Sequence, residues 1–237
     1  MTRKAKILIV EDEEAIRTGL TDVLIYHGYD PDAVSNGQSG LDKALSGLYD
    51  LVLLDVMLPK LDGFEVCNRI RAVDKELAII MLTAKTSDED IIQGLQLGAD
   101  DYVAKPFSVA QLMLRIQAVL RRTRIGIETA NALELGKAVQ VDTRNLTGTI
   151  TRNNKVENLS FTRREIDLLH YLNTNNDRPV PRDELLVKLW GYGKNLELET
   201  RTVDIHIAKL RRKIEQNPAN PHLLITVRGA GYRLLVN

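Results

Sequence analysis

Leu51-Val-Leu-Leu-Asp55-Val-Met-Leu-Pro59 opens with seven residues of which six are large and apolar and one is an acid. A continuous apolar run of this length, closed by proline, reads as a short strand over Leu51–Leu54 that is buried on both faces. An ionised carboxylate inside such a strand costs on the order of several kcal/mol unless it is compensated. Asp55 therefore belongs at the carboxyl end of the strand, where it need not be buried and where cations can meet it.

The sequence on either side supports that placement. Lys6–Val10 reads as a strand, and Glu13–His27 as a helix stopped by Gly28. Asn36 caps a helix over Gly37–Leu48, and Phe64–Val73 is helical. Ala78–Leu82 is a second apolar strand. Ser87 caps Asp88–Leu97, with Asp90 at the capping-box position and Gly98 as the stop. Asp101–Ala104 is a short strand, and Phe107–Arg122 a final helix. This alternation predicts an α/β fold, a doubly wound five-stranded parallel sheet of order 2-1-3-4-5 with helices on both faces. Periodicity then fails over residues 123–131, which read as a linker between domains at 1–122 and 132–237.

The second half has a different rhythm. Leu133–Ile150 and Val156–Leu159 alternate weakly around turns, as a small antiparallel sheet does. Thr162, with Glu165 three residues on, opens a helix through a capping box. A second helix starts at Pro181 and ends near Trp190-Gly191, and a third runs from about Glu199 to Glu215. Leu224–Val227 and Tyr232–Val236 form a closing hairpin. Three helices and a hairpin with a basic tip predict an α+β winged helix-turn-helix.

Zero formal net charge hides a split between the halves. Residues 1–122 carry 14 Lys/Arg against 19 Asp/Glu, and residues 123–237 carry 18 against 13. Residues 200–233 hold seven basic side chains and two acids, so the positive excess of the second half lies there. That asymmetry points to an anionic partner, nucleic acid before membrane. No apolar run approaches the roughly 20 residues a membrane helix needs, and the one cysteine, Cys67, has no internal disulfide partner. Both features suit the cytoplasm.

In a doubly wound sheet, ligands collect outside the carboxyl ends of the strands. Glu11 and Asp12 end the first strand, Asp55 the third, Thr83 the fourth and Lys105 the fifth. Oxygen ligands of this kind suit a hard divalent cation such as Mg²⁺. At this point the chain resembles the receiver domains of bacterial response regulators, which share the CheY-like, flavodoxin-like fold. The match lies in Ile-Val-Glu11-Asp12-Glu, Leu-Leu-Asp55-Val-Met57-Leu-Pro59, Leu82-Thr83-Ala84 and Gly98-Ala-Asp-Asp-Tyr102-Val-Ala-Lys105-Pro106-Phe107. The resemblance implies that Asp55 accepts a phosphoryl group from a histidine kinase. It also implies that Glu11, Asp12, Asp55 and the Met57 backbone carbonyl hold Mg²⁺, and that Lys105 supplies a second positive charge beside a cis Pro106. Thr83 and Tyr102 become switch residues, the aromatic turning inward after phosphorylation. Members of this family with winged-helix outputs dimerise through the face of the fourth helix, fifth strand and fifth helix. Where relatives place an ion pair on that face, this chain has Ile91 and Gln111. An apolar contact at Ile91 is expected instead, with Asp100, Asp101, Arg115 and Arg122 pairing across a two-fold axis.

Read at 100° per residue, the third C-terminal helix puts Val203, Ile207, Leu210 and Ile214 on its core stripe. Arg201, Ile205, Ala208, Lys209 and Arg212 lie opposite, flanked by His206 and Arg211. This half resembles OmpR/PhoB output domains in Phe161-Thr-Arg-Arg-Glu165, Leu189-Trp-Gly191, Arg201-Thr-Val-Asp-Ile-His-Ile207 and Thr226-Val-Arg228-Gly-Ala-Gly231-Tyr-Arg233. The resemblance implies binding to direct-repeat promoter DNA, and the loop over Gly191–Glu199 is expected to touch RNA polymerase. DNA contacts are expected from Arg201, Thr202, Ile205, His206, Ala208, Lys209, Arg211, Arg212, Thr226, Arg228 and Tyr232, with Arg228 in a minor groove. Catalysis is expected to be confined to the chain's own phosphoryl transfer and autodephosphorylation. A Mg²⁺-dependent phosphohydrolase would place its nucleophile after the first strand with a second acid two residues on, whereas Asp55 follows the third strand and precedes Val56-Met57. A regulator that binds DNA without phosphorylation is the remaining alternative.

Overall fold

A computed structural model describes residues 3–84, 88–124, 132–192 and 200–236. The chain forms two compact units, Met1–Arg124 and Ile125–Asn237. The expected cap at Ser87 and most of the expected linker lie outside the described residues.

The first unit runs β1 (Lys6–Val10), α1 (Glu14–Tyr26), β2 (Asp30–Val34), α2 (Gly37–Ala44), β3 (Leu51–Asp55), α3 (Gly63–Val73), β4 (Ala78–Thr83), α4 (Asp88–Leu97), β5 (Asp101–Ala104) and α5 (Val109–Arg124). Its strands are parallel in the order β2-β1-β3-β4-β5. All residues of β3 and β4 are buried, as the apolar runs require. Each large aliphatic side chain removed from water in these strands contributes about 1.5–3 kcal/mol. The Asn36 side chain accepts from the Ser39 amide at 3.0 Å and starts α2. The strand hardest to see in the sequence is β2, Asp-Pro-Asp-Ala-Val, at the sheet edge. Its polar side chains and proline are tolerated because an edge strand needs hydrogen bonds on one side only.

The second unit runs β6 (Ala132–Leu135), β7 (Val139–Asp142), β8 (Thr147–Arg152), β9 (Lys155–Ser160), α6 (Arg163–Thr174), α7 (Arg182–Leu185, continuing as a π-helical turn over Leu186–Trp190), α8 (Thr200–Ile214), β10 (Leu224–Val227) and β11 (Gly231–Leu234). β6–β9 form a four-stranded antiparallel meander, and β10 and β11 form the wing. Thr162 and Glu165 close a reciprocal capping box on α6. Phe161, Leu168, Leu172, Trp190, Val203, Ile207 and Leu224 share one core, so α8 is held by apolar contacts as well as by the charged groups described below.

Candidate functional site

The sheet order makes β1 and β3 neighbours and so brings their carboxyl ends together. Glu11, Asp12 and Asp55 present carboxylate oxygens that all lie within 4.8 Å of one another. Lys105 enters from the end of β5, with its ammonium 2.9 Å from Asp55 Oδ2 and 2.8 Å from Glu11 Oε2. The peptide bond that follows it, Lys105–Pro106, is cis. The Met57 amide donates to Asp55 Oδ1 at 3.1 Å. Gly63, which opens α3, is required by packing: a Cβ there would lie 2.1 Å from the Asp55 carbonyl oxygen. The helix can therefore close against the loop that follows β3.

One expectation needs correcting. Asp55 does not sit at an open strand end but is only 3% exposed. The ion pair with Lys105 and the amide of Met57 replace the water it has lost. Burial pushes the Glu11 carboxyl above its ordinary value, opposed by the hydrogen bond from Lys105 and reinforced by the charge of Asp55. Burial alone would lower the Lys105 ammonium, but its hydrogen bonds to Glu11 and Asp55 raise it. Among the described residues, Glu11, Asp12 and Asp55 outnumber the Lys105 cation they meet, and this oxygen-rich set of donors fits a hard divalent ion.

Thr83 is fully buried, and its side chain is hydrogen-bonded to the Tyr102 hydroxyl. Tyr102 is thus turned inward in this structure. Burial raises its phenol, the Thr83 hydrogen bond lowers it, and the charges of Asp90 and Asp55 raise it further. Gly94 makes room for the ring, because a Cβ there would lie 3.1 Å from two ring carbons.

Three of the charges expected to bridge two chains, Asp100, Asp101 and Arg115, have partners within one. Asp100 is buried, 2.9 Å from Arg71 Nη2, and accepts the Ile79 amide at 2.8 Å. Arg71 also donates to the carbonyls of Gly98, Leu77 and Asp74. Arg115 lies 3.4 Å from Asp101 and 3.3 Å from the Tyr102 carbonyl, and both Arg115 and Asp101 are buried. A charge that the fold has already buried is costly without its counter-ion, so these internal pairs are not readily given up for one between chains. Ile91 is half-buried, while Ile92, Gln111 and Leu114 are exposed. Arg122 lies in the last turn of α5. Sequence reasoning missed Arg71, although it shares the helical stripe of Phe64 and Cys67, and a cation there requires partners.

The outer face of α8 carries Arg201, Ile205, Ala208 and Arg212. Thr202, His206 and Lys209 do not lie on it; each is buried. His206 packs against Trp190 with ring centroids 5.2 Å apart. Lys209 Nζ lies 3.8 Å from the Glu165 carboxylate, and Lys213 Nζ 2.5 Å from it. Glu165 has no exposure at all, and its charge holds those two lysines on the α6 side of the helix. Lys209 therefore turns to Glu165 rather than onto the outer face where period placed it. Tyr232 is turned inward in the same way. It is buried, and its hydroxyl donates to Asp204 at 2.6 Å, while Arg182 stacks over the ring at 4.6 Å. Arg211 braces the wing through the Leu224 carbonyl and Thr226 Oγ1, both at 2.8 Å. Arg228 and Thr226 are exposed on the wing.

Burial and Asp204 push the Tyr232 phenol up to about 12 from 10.0. A folded-state value above the unfolded one means stability is present below pH 10 and is lost as pH rises toward about 12. Denaturant titrations should show this alkaline loss in the second unit, and Tyr232→Phe should lack that component of it. Equal losses in the two proteins would contradict the assignment.

Two family models match the chain: the response regulator receiver domain over residues 7–117, and the C-terminal domain of transcriptional regulatory proteins over residues 156–234. The alkaline phosphatase synthesis transcriptional regulatory protein PhoP of Bacillus subtilis is 43% identical over 232 residues, which cover 97% of this chain and 96% of that protein. Among solved structures, a mutant of RitR aligns over 98% of this chain and 100% of that one, with a TM-score of 0.70 and 28% identity. DrrB of Thermotoga maritima, an OmpR/PhoB homologue, aligns over 98% and 99% with a TM-score of 0.52 and 28% identity. No described helix is long and apolar enough to cross a membrane. An acid pocket at the strand ends of a receiver, joined in one chain to a winged DNA-binding domain, makes this protein a member of the OmpR/PhoB family of two-component response regulators.

Proposed function

We propose that Asp55 accepts a phosphoryl group from a cognate sensor histidine kinase, and that this modification promotes binding of the C-terminal domain to promoter DNA. The observation that carries the proposal is the convergence of Glu11, Asp12, Asp55 and Lys105 in one crevice. An Asp55 carboxylate oxygen would form the new P–O bond as the P–N bond to the donor imidazole breaks, the electron pair leaving on the ring nitrogen. Glu11, Asp12, Asp55 and the Met57 carbonyl would hold Mg²⁺, which when bound offsets charge on the phosphoryl oxygens. Lys105 supplies a fixed positive charge from the other side, and Thr83 a hydroxyl that can turn to a phosphoryl oxygen. The chain's own catalysis is limited to this transfer and to autodephosphorylation.

The phosphorylated receiver then dimerises through α4, β5 and α5. Because Asp100, Asp101 and Arg115 have partners inside the chain, Ile91, Ile92 and Leu114 supply most of that contact. Pairing places two winged helices on direct-repeat half-sites, and the affinity gain comes from simultaneous engagement rather than a changed recognition surface. Arg201, Ile205, Ala208 and Arg212 face the major groove and Arg228 the minor groove. RNA polymerase is the downstream partner and the cytoplasm the compartment, with domains at 1–122 and 132–237 joined through 123–131.

Sequencing of DNA bound by the wild-type chain, with and without a phosphodonor and Mg²⁺, tests the whole reading. Recovered fragments should carry two tandem half-sites, and the donor should raise their occupancy. Removing one phosphate-contacting arginine with Arg212→Ala or Arg228→Ala should reduce the salt slope of binding by about one unit. Donor-independent occupancy would leave a regulator that works without phosphorylation.

A further inference from the structure

The C-terminal end of α8 runs into the β8–β9 hairpin, and the last residue of β8 is turned onto it. Arg152 Nη2 donates to the carbonyls of Arg212 at 3.0 Å, Lys213 at 2.8 Å and Glu215 at 2.9 Å. Its Nε reaches the Glu215 carbonyl at 3.2 Å, and its Nη1 lies 2.7 Å from Glu157. Gln216 Nε2 joins the same hairpin through the Thr151 carbonyl at 2.7 Å. The last carbonyls of a helix have no intrahelical partner and carry partial negative charge. A planar guanidinium answers both needs at once, which a lysine ammonium does less well.

The contact continues beyond the helix. The Glu215 carboxylate accepts the backbone amides of His222 at 2.9 Å, Leu223 at 2.9 Å and Leu224 at 2.7 Å, where β10 begins. One path of hydrogen bonds thus links the meander, the end of α8 and the root of the wing. Arg152 is a half-exposed side chain whose guanidinium is committed to backbone acceptors and to Glu157.

We infer that Arg152 is a positioning residue for DNA recognition: by clamping the end of α8 and the Glu215 carbonyl to the meander, it holds in place the helix end from which the Glu215 carboxylate braces the root of the wing. The inference rests on the reading that α8 and the wing are the DNA-contacting elements. Helix and wing enter different grooves of one site, so an unclamped helix end lets either seat only at the other's expense. Binding that depends on both elements together should suffer, while attraction to any phosphate backbone should not.

The test uses the full chain and a duplex that the wild type selects from a random pool, beside a scrambled duplex of equal length. Arg152→Ala should weaken binding to the selected duplex roughly tenfold, the size of one good helix-end cation. Affinity for the scrambled duplex and the salt slope should stay unchanged. Arg152→Lys should recover part of the loss. Hydrogen exchange should show faster exchange at the Leu223 and Leu224 amides in Arg152→Ala, which keeps the proposal measurable even if the selected duplex no longer binds. Equal losses on both duplexes, an unchanged selected-to-scrambled ratio, or a salt slope lower by about one unit would overturn it, the last by making Arg152 a phosphate contact. A wild-type chain that selects no sequence overturns the DNA-binding reading itself, an outcome separate from all of these.

Discussion

A chain carrying Asp55→Ala should take up no phosphoryl group from acetyl phosphate and Mg²⁺, while the wild type gains one, as read by intact mass. On the proposed reading the Asp55 carboxylate is the nucleophile, and it lies between the acids that follow β1 and the Lys105 ammonium. Unfolding should not explain the loss. Among the described residues the acids of the crevice outnumber its cation, so removing Asp55 relieves repulsion with Glu11 and leaves Lys105 paired to Glu11 at 2.8 Å. The unfolding free energy of the variant should therefore hold or rise. Lys105→Ala keeps the nucleophile and removes the fixed cation, and should slow uptake by about 10²–10³. Phosphoryl uptake by Asp55→Ala at the wild-type rate would place the acceptor elsewhere.

Arg71→Ala should cost about 3–5 kcal/mol, because it takes the guanidinium away from the buried Asp100 carboxylate. Asp100 would lose its guanidinium while keeping the Ile79 amide at 2.8 Å, and the carbonyls of Gly98 and Leu77 would lose the Arg71 donor. Adding Asp100→Asn should return part of the loss by removing the stranded charge. Denaturant titration of the receiver transition in the two variants checks this. A loss below about 1 kcal/mol, the scale of an exposed ion pair, would mean that Asp100 finds water or another cation. The same pair bears on dimerisation, since an Asp100 held this tightly is not available to a second chain.

The legible parts of this protein share one property: their signals are local and depend on period. The apolar runs of β3 and β4, the Asn36 and Thr162 caps and the alternation of strand with helix were all readable from neighbouring residues. The edge strand β2 was not, because its composition follows from having a partner on one side only. The acids at the strand ends were legible because a parallel sheet of known order must bring its carboxyl ends together.

Helical period also located the outer face of α8, but could not say how wide the buried face is. Thr202, His206 and Lys209 all sit on the flank where period alone is ambiguous. What decided them was Trp190 beneath one and Glu165 beside another, both supplied by elements distant in sequence. Charged groups behaved alike in both units: Asp55, Asp100, Asp101, Glu165 and Arg115 are all buried. Residue order says that these groups are charged and which element carries each. Whether a charge faces water, a partner chain or a buried counter-ion depends on what the fold packs against it, because desolvation is set by the whole surroundings and pairing by distances of a few ångströms.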